Sequence, residues 1–178
     1  SSLAAEIFND AGLSAPNVLE IGAGDGFFAS ELMKLGADVL AVEPGAPSVA
    51  RIRARGVPVL NSLFDRTLVA ENAPFDMVIS RQVISHVEPL GRFLDDVAAV
   101  CKPGARVYFE CPNIVDSLLQ GRFVDFLPDY RSYLSVSTIT QLMETRGFRL
   151  WEARPRWKGE YFQTTFIRED EGVTDILA

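Results

Sequence analysis

The segment NVLEIGAGDGFF, from Asn17 to Phe28, limits the possible folds more than any other part of the chain. Gly22, Gly24 and Gly26 follow an apolar run that reads as a buried strand, and they precede residues of helical period. Glycine at such a junction permits positive φ and lets a ligand touch main chain where any Cβ would collide. A strand-to-helix turn with a bare backbone shelf is expected, suited to a flat or extended cofactor. A dinucleotide fingerprint places its third glycine at position 27, where this chain has Phe27, so a nicotinamide-dependent oxidoreductase is the weaker reading. No Gly-Lys-Ser/Thr follows, which excludes the phosphate-gripping loop of nucleotide hydrolases.

The rest of the chain repeats this strand-helix alternation. Strands are expected at Asn17 to Ile21, Asp38 to Val42, Val57 to Leu60, Phe75 to Ile79 and Arg106 to Glu110. Amphipathic helices are expected over Leu3 to Phe8, Phe28 to Leu35, Ser48 to Arg55 and Leu90 to Cys101, and one capped by Ser137 through Glu144. Phe148 to Ala153 and Tyr161 to Ile167 form a closing pair whose short link leaves no room for a crossover helix, so that pair is antiparallel. The fold class predicted is α/β: a Rossmann-like, mostly parallel seven-stranded sheet with helices on both faces and an antiparallel C-terminal hairpin. One domain over residues 1–178 is expected, with a lid or insertion at 114–135 where periodicity weakens and Phe123, Phe126, Tyr130 and Tyr133 gather.

Charge and composition narrow the function. Seventeen Lys and Arg against 24 Asp and Glu give a net charge of −7, which repels a phosphate backbone and disfavours nucleic acid as a partner. The RIRAR segment reads as a solvated helix face. No apolar run reaches membrane-helix length and no secretory signal opens the chain, so a soluble cytoplasmic protein without a membrane partner is the expectation. Cys101, Cys111 and the single His86 do not make a Cys/His zinc site, and no metal is expected.

Two acids stand out. Glu43 ends the second strand, where a carboxylate accepts two hydrogen bonds from a ribose diol. Glu20 interrupts an apolar strand beside the glycine turn, and a buried carboxylate there calls for a cationic partner such as an ammonium group, or for a cap or ion pair.

VLEIGAGDG, VLAVEPG, FDMVISRQVISHVEP and FLDDVAAVCKPGARVYFECPN, in that order, resemble the class I S-adenosylmethionine-dependent methyltransferases over nearly the whole chain. By that resemblance Gly22, Ala23, Gly24, Gly26 and Phe27 approach the methionine and ribose portions of S-adenosylmethionine. Glu20 lies near its amino group, and Glu43 and Pro44 lie at the ribose. Asn61, Ser62, Leu63 and Phe64 flank adenine, while Arg81, Gln82, Val83 and His86 line the methionine side and the way in for substrate. S-adenosylhomocysteine would be the product.

Within the class, GVPVLNSLF, ISHV, ECPN and SYLSVSTITQLMETRGF look like bacterial sugar C-methyltransferases. That group typically carries a tyrosine-and-histidine cluster in its lid, where this chain has Leu127-Pro128-Asp129-Tyr130, and no counterpart of its zinc module or C-terminal extension is found. The expected function is methyl transfer to a small-molecule acceptor, a sugar or another biosynthetic intermediate; a non-catalytic cofactor-binding module is the alternative. Candidates for proton transfer are His86, Tyr130, Tyr133, Asp129 and Glu110.

Overall fold

The computed structural model describes residues 2–169. The chain runs through α1 (Leu3–Ala11), β1 (Asn17–Ile21), α2 (Phe27–Lys34), β2 (Asp38–Val42), α3 (Ala46–Ala54), β3 (Val59–Leu60) and β4 (Phe75–Arg81). A 3-10 turn at Ile84–His86 leads to α4 (Leu90–Val100), β5 (Cys101–Pro112) and α5 (Ile114–Gln120). A second such turn, Phe123–Asp125, precedes α6 (Val136–Glu144), β6 (Phe148–Arg156), a third at Trp157–Gly159, and β7 (Tyr161–Arg168).

The seven strands form one sheet in the order β3-β2-β1-β4-β5-β7-β6. All neighbours are parallel except that β7 runs antiparallel to both β5 and β6. This is the predicted fold class. The order reverses between β1 and β4, and at such a switch point loops diverge from the carboxyl ends of the strands to leave a crevice.

Strand composition follows from burial on two faces. Val18 and Leu19 of β1, and Met77, Val78 and Ile79 of β4, are all at 0–1% exposure, as expected of central parallel strands covered by helices on each side. One face packs Ile7, Ala11, Phe28, Leu32 and Ile52 from α1, α2 and α3. The other packs Phe93, Leu94, Val97, Ile139 and Met143 from α4 and α6. Among the described residues no helix is long and apolar enough to cross a membrane.

Several boundaries differ from the sequence reading. Helix α1 continues through Asn9 and Asp10 to Ala11, because Ala4, Ile7 and Ala11 share one buried face, and Gly12 ends it at φ 64°. Helix α3 starts before Ser48, since Pro47 suits a first helical turn. Ser135, not Ser137, caps α6: it is the extended residue ahead of the helix, and its Oγ accepts the Thr138 N–H at 3.1 Å. Helix α4 ends at Val100, and Lys102-Pro103-Gly104, where the sequence turns the chain after that helix, becomes an irregularity inside β5, as pairing with β4 jumps from Phe75↔Cys101 to Met77↔Arg106. β3 shrinks to two residues, and β6 extends to Arg156 because β7 supplies partners that far. The segment expected as an aperiodic lid holds α5 and the Phe123–Asp125 turn. Residues 170–178 of the expected domain lie outside the described residues.

Candidate active site

The glycine turn follows β1 at the switch point. Gly22, Gly24 and Gly26 have φ of 74°, 58° and 75°, the left-handed region predicted for this turn. Two of them are required by the protein's own packing. A Cβ on Gly22 would stand 2.2 Å from Val83 Cγ2, and one on Gly26 would meet Ile52 at 2.9–3.2 Å. Around Gly24 nothing lies within 4 Å of the same position, so the backbone there borders open space. The turn is held from outside by Arg55, which donates to the Asp25 carbonyl at 2.9 Å and to its carboxylate at 2.8 Å. Arg51 and Arg53 of the RIRAR segment are exposed as expected, whereas Arg55 braces the turn. Its exposed position in a basic run hid that role in the sequence.

Two clefts meet at Gly22. One, of about 260 Å3, is lined by Glu20, Gly22, Ala23, Gly24, Asp25, Phe27, Phe28, Arg81 and Gln82. The second, of about 330 Å3, includes Gly22, Pro44, Ser62, Leu63, Phe64, Val83 and His86, with Val87 and Phe93 also on its wall. Neither was anticipated: in sequence Phe93 reads as a buried position of the helix after Pro89, and Val87 as part of the junction that leads to it. The Phe64 and Phe93 rings meet edge-on at 5.7 Å, giving the second cleft an aromatic end.

Glu43 directly follows β2 and is on the wall of neither cleft, but it reaches the glycine turn. Its carboxylate accepts the N–H of Gly24 at 3.1 Å and that of Gly45 at 2.9 Å. Each carboxylate oxygen keeps a second lone pair for a hydroxyl. Asn61 does not line either cleft: its side-chain amide donates to the carbonyls of Glu43 at 3.1 Å and Pro44 at 3.0 Å, fixing the loop that carries Glu43. Its position next to Ser62 made it look like a wall residue, but the β2 loop lies closer.

Glu20 is 3% exposed and its Oε2 has no hydrogen-bond partner. Burial pushes its carboxyl up to about 8, against the opposing pull of the Arg81 guanidinium. The Ala29 N–H also acts on this carboxyl, and the oxygen left free is what a cationic ligand would complete. Arg81, at the end of β4, approaches Glu110 Oε1 at 3.3 Å and lies over the Phe28 ring at 4.7 Å. Glu110 is 1% exposed and also accepts from the Gln82 side chain at 3.3 Å. It therefore stands behind Arg81 and Gln82 instead of reaching into the open cleft. Gln82 takes φ of 56°, unusual for its type, and its N–H donates to the Glu110 carbonyl at 2.6 Å.

The segment 114–135 reaches the site through its backbone. The N–H groups of Arg131 and Ser132 donate to the Ser85 carbonyl at 2.7 and 3.1 Å, tying this segment to the turn that carries His86. His86 Nδ1 is 3.3 Å from Asp129 Oδ2, and the imidazole meets the Tyr130 ring edge-on at 4.9 Å. Burial, with nearby Tyr161 and Asp129, raises the Tyr130 phenol above its usual value. Tyr130 and Tyr161 share a cavity of about 100 Å3 with Asp125 and Glu160. Tyr161 escaped the sequence reading because it looked like an ordinary strand residue. Tyr133 is engaged elsewhere: its hydroxyl donates to the Leu127 carbonyl at 3.1 Å and its ring packs on Phe126.

A glycine turn at the switch point of this sheet order, with an acid after β2 and an open cleft on either side, defines a Rossmann-like cofactor-binding domain. The chain belongs to the methyltransferase domain family, whose model matches residues 2–153. It is 32% identical over 96 residues to a ubiquinone biosynthesis O-methyltransferase of Nitrobacter winogradskyi, covering 52% of this chain and 37% of that one. It is 28% identical over 136 residues to a probable S-adenosylmethionine-dependent methyltransferase of Mycolicibacterium smegmatis, covering 75% and 52%. The chain thus spans about half the length, or less, of these curated relatives. Among solved structures, magnesium protoporphyrin IX methyltransferase from Synechocystis, with bound S-adenosylhomocysteine, superposes with a TM-score of 0.74 at 15% identity, covering 94% of this chain and 80% of that one. An S-adenosylmethionine-dependent methyltransferase from Mesorhizobium loti gives 0.71 at 15%, covering 92% and 96%. At these identities the likeness is one of fold. The cofactor indicated is S-adenosylmethionine, and the nicotinamide reading is set aside.

Proposed function

We propose that this domain transfers a methyl group from S-adenosylmethionine to a hydroxyl of a small-molecule acceptor, with His86 as the base. When bound, the cofactor supplies an electrophilic methyl on a sulfonium; the chain's residues hold and align it. Gly22 and Gly24 offer bare main chain, Glu43 takes the ribose hydroxyls, and Glu20 takes the ammonium group. Ser62, Leu63 and Phe64 flank adenine. Alignment of donor and acceptor is the main contribution in such a displacement, worth about 7–11 kcal/mol in ideal cases.

Proton removal from a hydroxyl adds about 10²- to 10⁴-fold. The observation that carries the reading is His86, on the cleft wall next to the glycine shelf, with Asp129 3.3 Å from Nδ1. An acid at Nδ1 favours the tautomer whose Nε2 is free to accept a proton. Asp129 and Tyr130 act as positioning residues around the imidazole. Tyr133 holds the lid, and Glu110 holds Arg81 and Gln82. The O-methyltransferase names among the relatives support a hydroxyl over a sugar carbon. The sugar C-methyltransferase likeness keeps a deoxysugar acceptor as the second candidate.

The test is release of S-adenosylhomocysteine with a panel of phenols, catechols and nucleotide-linked sugars. We expect turnover with a hydroxylated acceptor, lowered about 10²- to 10⁴-fold in His86→Gln and partly recovered at higher pH. Cofactor binding without product from any acceptor would favour a binding module. An unchanged rate in His86→Gln would remove the base.

A further inference from the structure

The cavity of about 100 Å3 between Tyr130 and Tyr161 adjoins the site without belonging to either cleft at Gly22. Tyr130 connects the two, because the ring that lines this cavity also meets the His86 imidazole at 4.9 Å. The walls bring together two tyrosines, the acids Asp125 and Glu160, and the apolar Val124 and Leu127, with no Lys, Arg or His among them. Asp125 is only half used: the Ser117 hydroxyl at 2.6 Å and Arg122 at 2.9 Å both reach Oδ2, and among the described residues Oδ1 has no partner. Glu160 enters no ion pair among the described residues, and its backbone is fixed by the Asn113 N–H, which donates to its carbonyl at 2.9 Å. Burial raises the Tyr161 phenol above its usual value, and Asp125, Glu160 and Glu110 add to the rise. The space is therefore one of negative potential bordered by aromatic rings.

We propose that this cavity is an acceptor subsite for a cationic amine, so that the small molecule methylated beside His86 carries an ammonium group as well as its reactive hydroxyl. The inference rests on the methyl-transfer reading above and adds the charge of the acceptor to it. An ammonium is attracted to an aromatic ring through the ring's quadrupole and to a carboxylate through its charge, and the cavity supplies both. A metal ion fits less well, since among the described residues no group of three or more His, Cys, Asp or Glu converges. A neutral hydroxyl would leave the acids uncompensated, and an anion would be repelled. Val124 and Leu127 suit the carbon that bears the amine. A protonated amine has no lone pair to take a methyl, so the subsite orients the acceptor while the hydroxyl reacts. Because one ring borders both His86 and the cavity, a compact acceptor can reach both.

The experiment is equilibrium binding with S-adenosylhomocysteine present, so that the Glu20 side is filled. Phenethylamine, protonated at neutral pH, is compared with phenethyl alcohol, which matches its size without the charge. Wild-type protein is expected to hold the amine about tenfold more tightly, the scale of one cation–aromatic contact beside an acid. Tyr161→Leu should abolish that preference and Tyr161→Phe, which keeps the ring, should retain it. Glu160→Gln should shrink it, and because Glu160 is exposed this variant keeps the test in force if Tyr161→Leu does not fold. In turnover, tyramine should show a lower KM than para-ethylphenol, and Glu160→Gln should narrow that gap. Equal affinity for amine and alcohol in the wild type, or a preference that Glu160→Gln and Tyr161→Leu leave untouched, overturns the subsite. An amine preference with no release of S-adenosylhomocysteine from any hydroxylated amine overturns the methyl-transfer reading instead.

Discussion

Glu20 shows how a single side chain can cost the empty protein stability that the ligand restores. Its carboxyl is raised to about 8 by burial, so the folded state holds a proton that the unfolded chain, titrating near 4.3, has released. The folded protein therefore binds more protons than the unfolded one between about pH 4.3 and 8, and stability falls as pH rises through that window. The ligand ammonium needs the ionised acid, so cofactor affinity should rise with pH up to about 8 and level off above it. Glu20→Gln, which cannot ionise, should flatten this fall, so that its stability relative to the wild type improves from pH 5 to pH 8. Thermal melts at pH 5 and 8 check the sign; a wild-type protein more stable at pH 8 than at pH 5, with the variant unchanged, would contradict it. Glu20 was conspicuous in the sequence because one acid interrupts an apolar strand. That one of its oxygens is left without a hydrogen bond was invisible there, since it depends on where Arg81 and Glu110 come to rest.

At the scale of elements, the segment proposed as a lid is held together by one guanidinium. Arg122 reaches Asp116 at 2.7 Å and Asp125 at 2.9 Å, joining α5 to the turn after it. The Ser117 hydroxyl, 2.6 Å away, and Arg122 hold the Asp125 carboxyl below the usual carboxylate range. A depressed acid contributes stability above its unfolded value, near 3.9, and loses that contribution as pH falls. Arg122→Ala should accelerate amide exchange in residues 114–134 and leave β1 and β4 protected. Equal acceleration in the sheet would mean that the lid and core open together. Strands β1 and β2 were legible to the residue, because buried parallel strands are Val/Ile/Leu-rich runs, broken in β1 only by Glu20. The lid was not, since α5 leaves Leu118 and Leu119 at 61% and 78% exposure and so lacks the one-sided burial that marks a helix in sequence.

For the whole molecule, the clefts on either side of Gly22 make ligand binding and folding one equilibrium. S-adenosylhomocysteine at a hundredfold excess over its Kd should stabilise the protein by about 2.7 kcal/mol, raising Tm by about 5–10 °C for a chain of this size. NAD at the same excess should give no shift, and an equal shift with NAD would undo the assignment drawn from Phe27. The order of motifs determined the class of sheet, the position of the glycine turn, and the acids at the ends of β1 and β2, because periodicity and glycine placement are local properties of the chain. Tertiary structure decided which of those groups were free. Asn61 turned to brace a loop and Glu110 withdrew behind Arg81, whereas Asp129 met His86 from a lid forty residues away by roughly that count of sequence. Such partnerships depend on which loops the closed sheet brings together, and no local pattern encodes them.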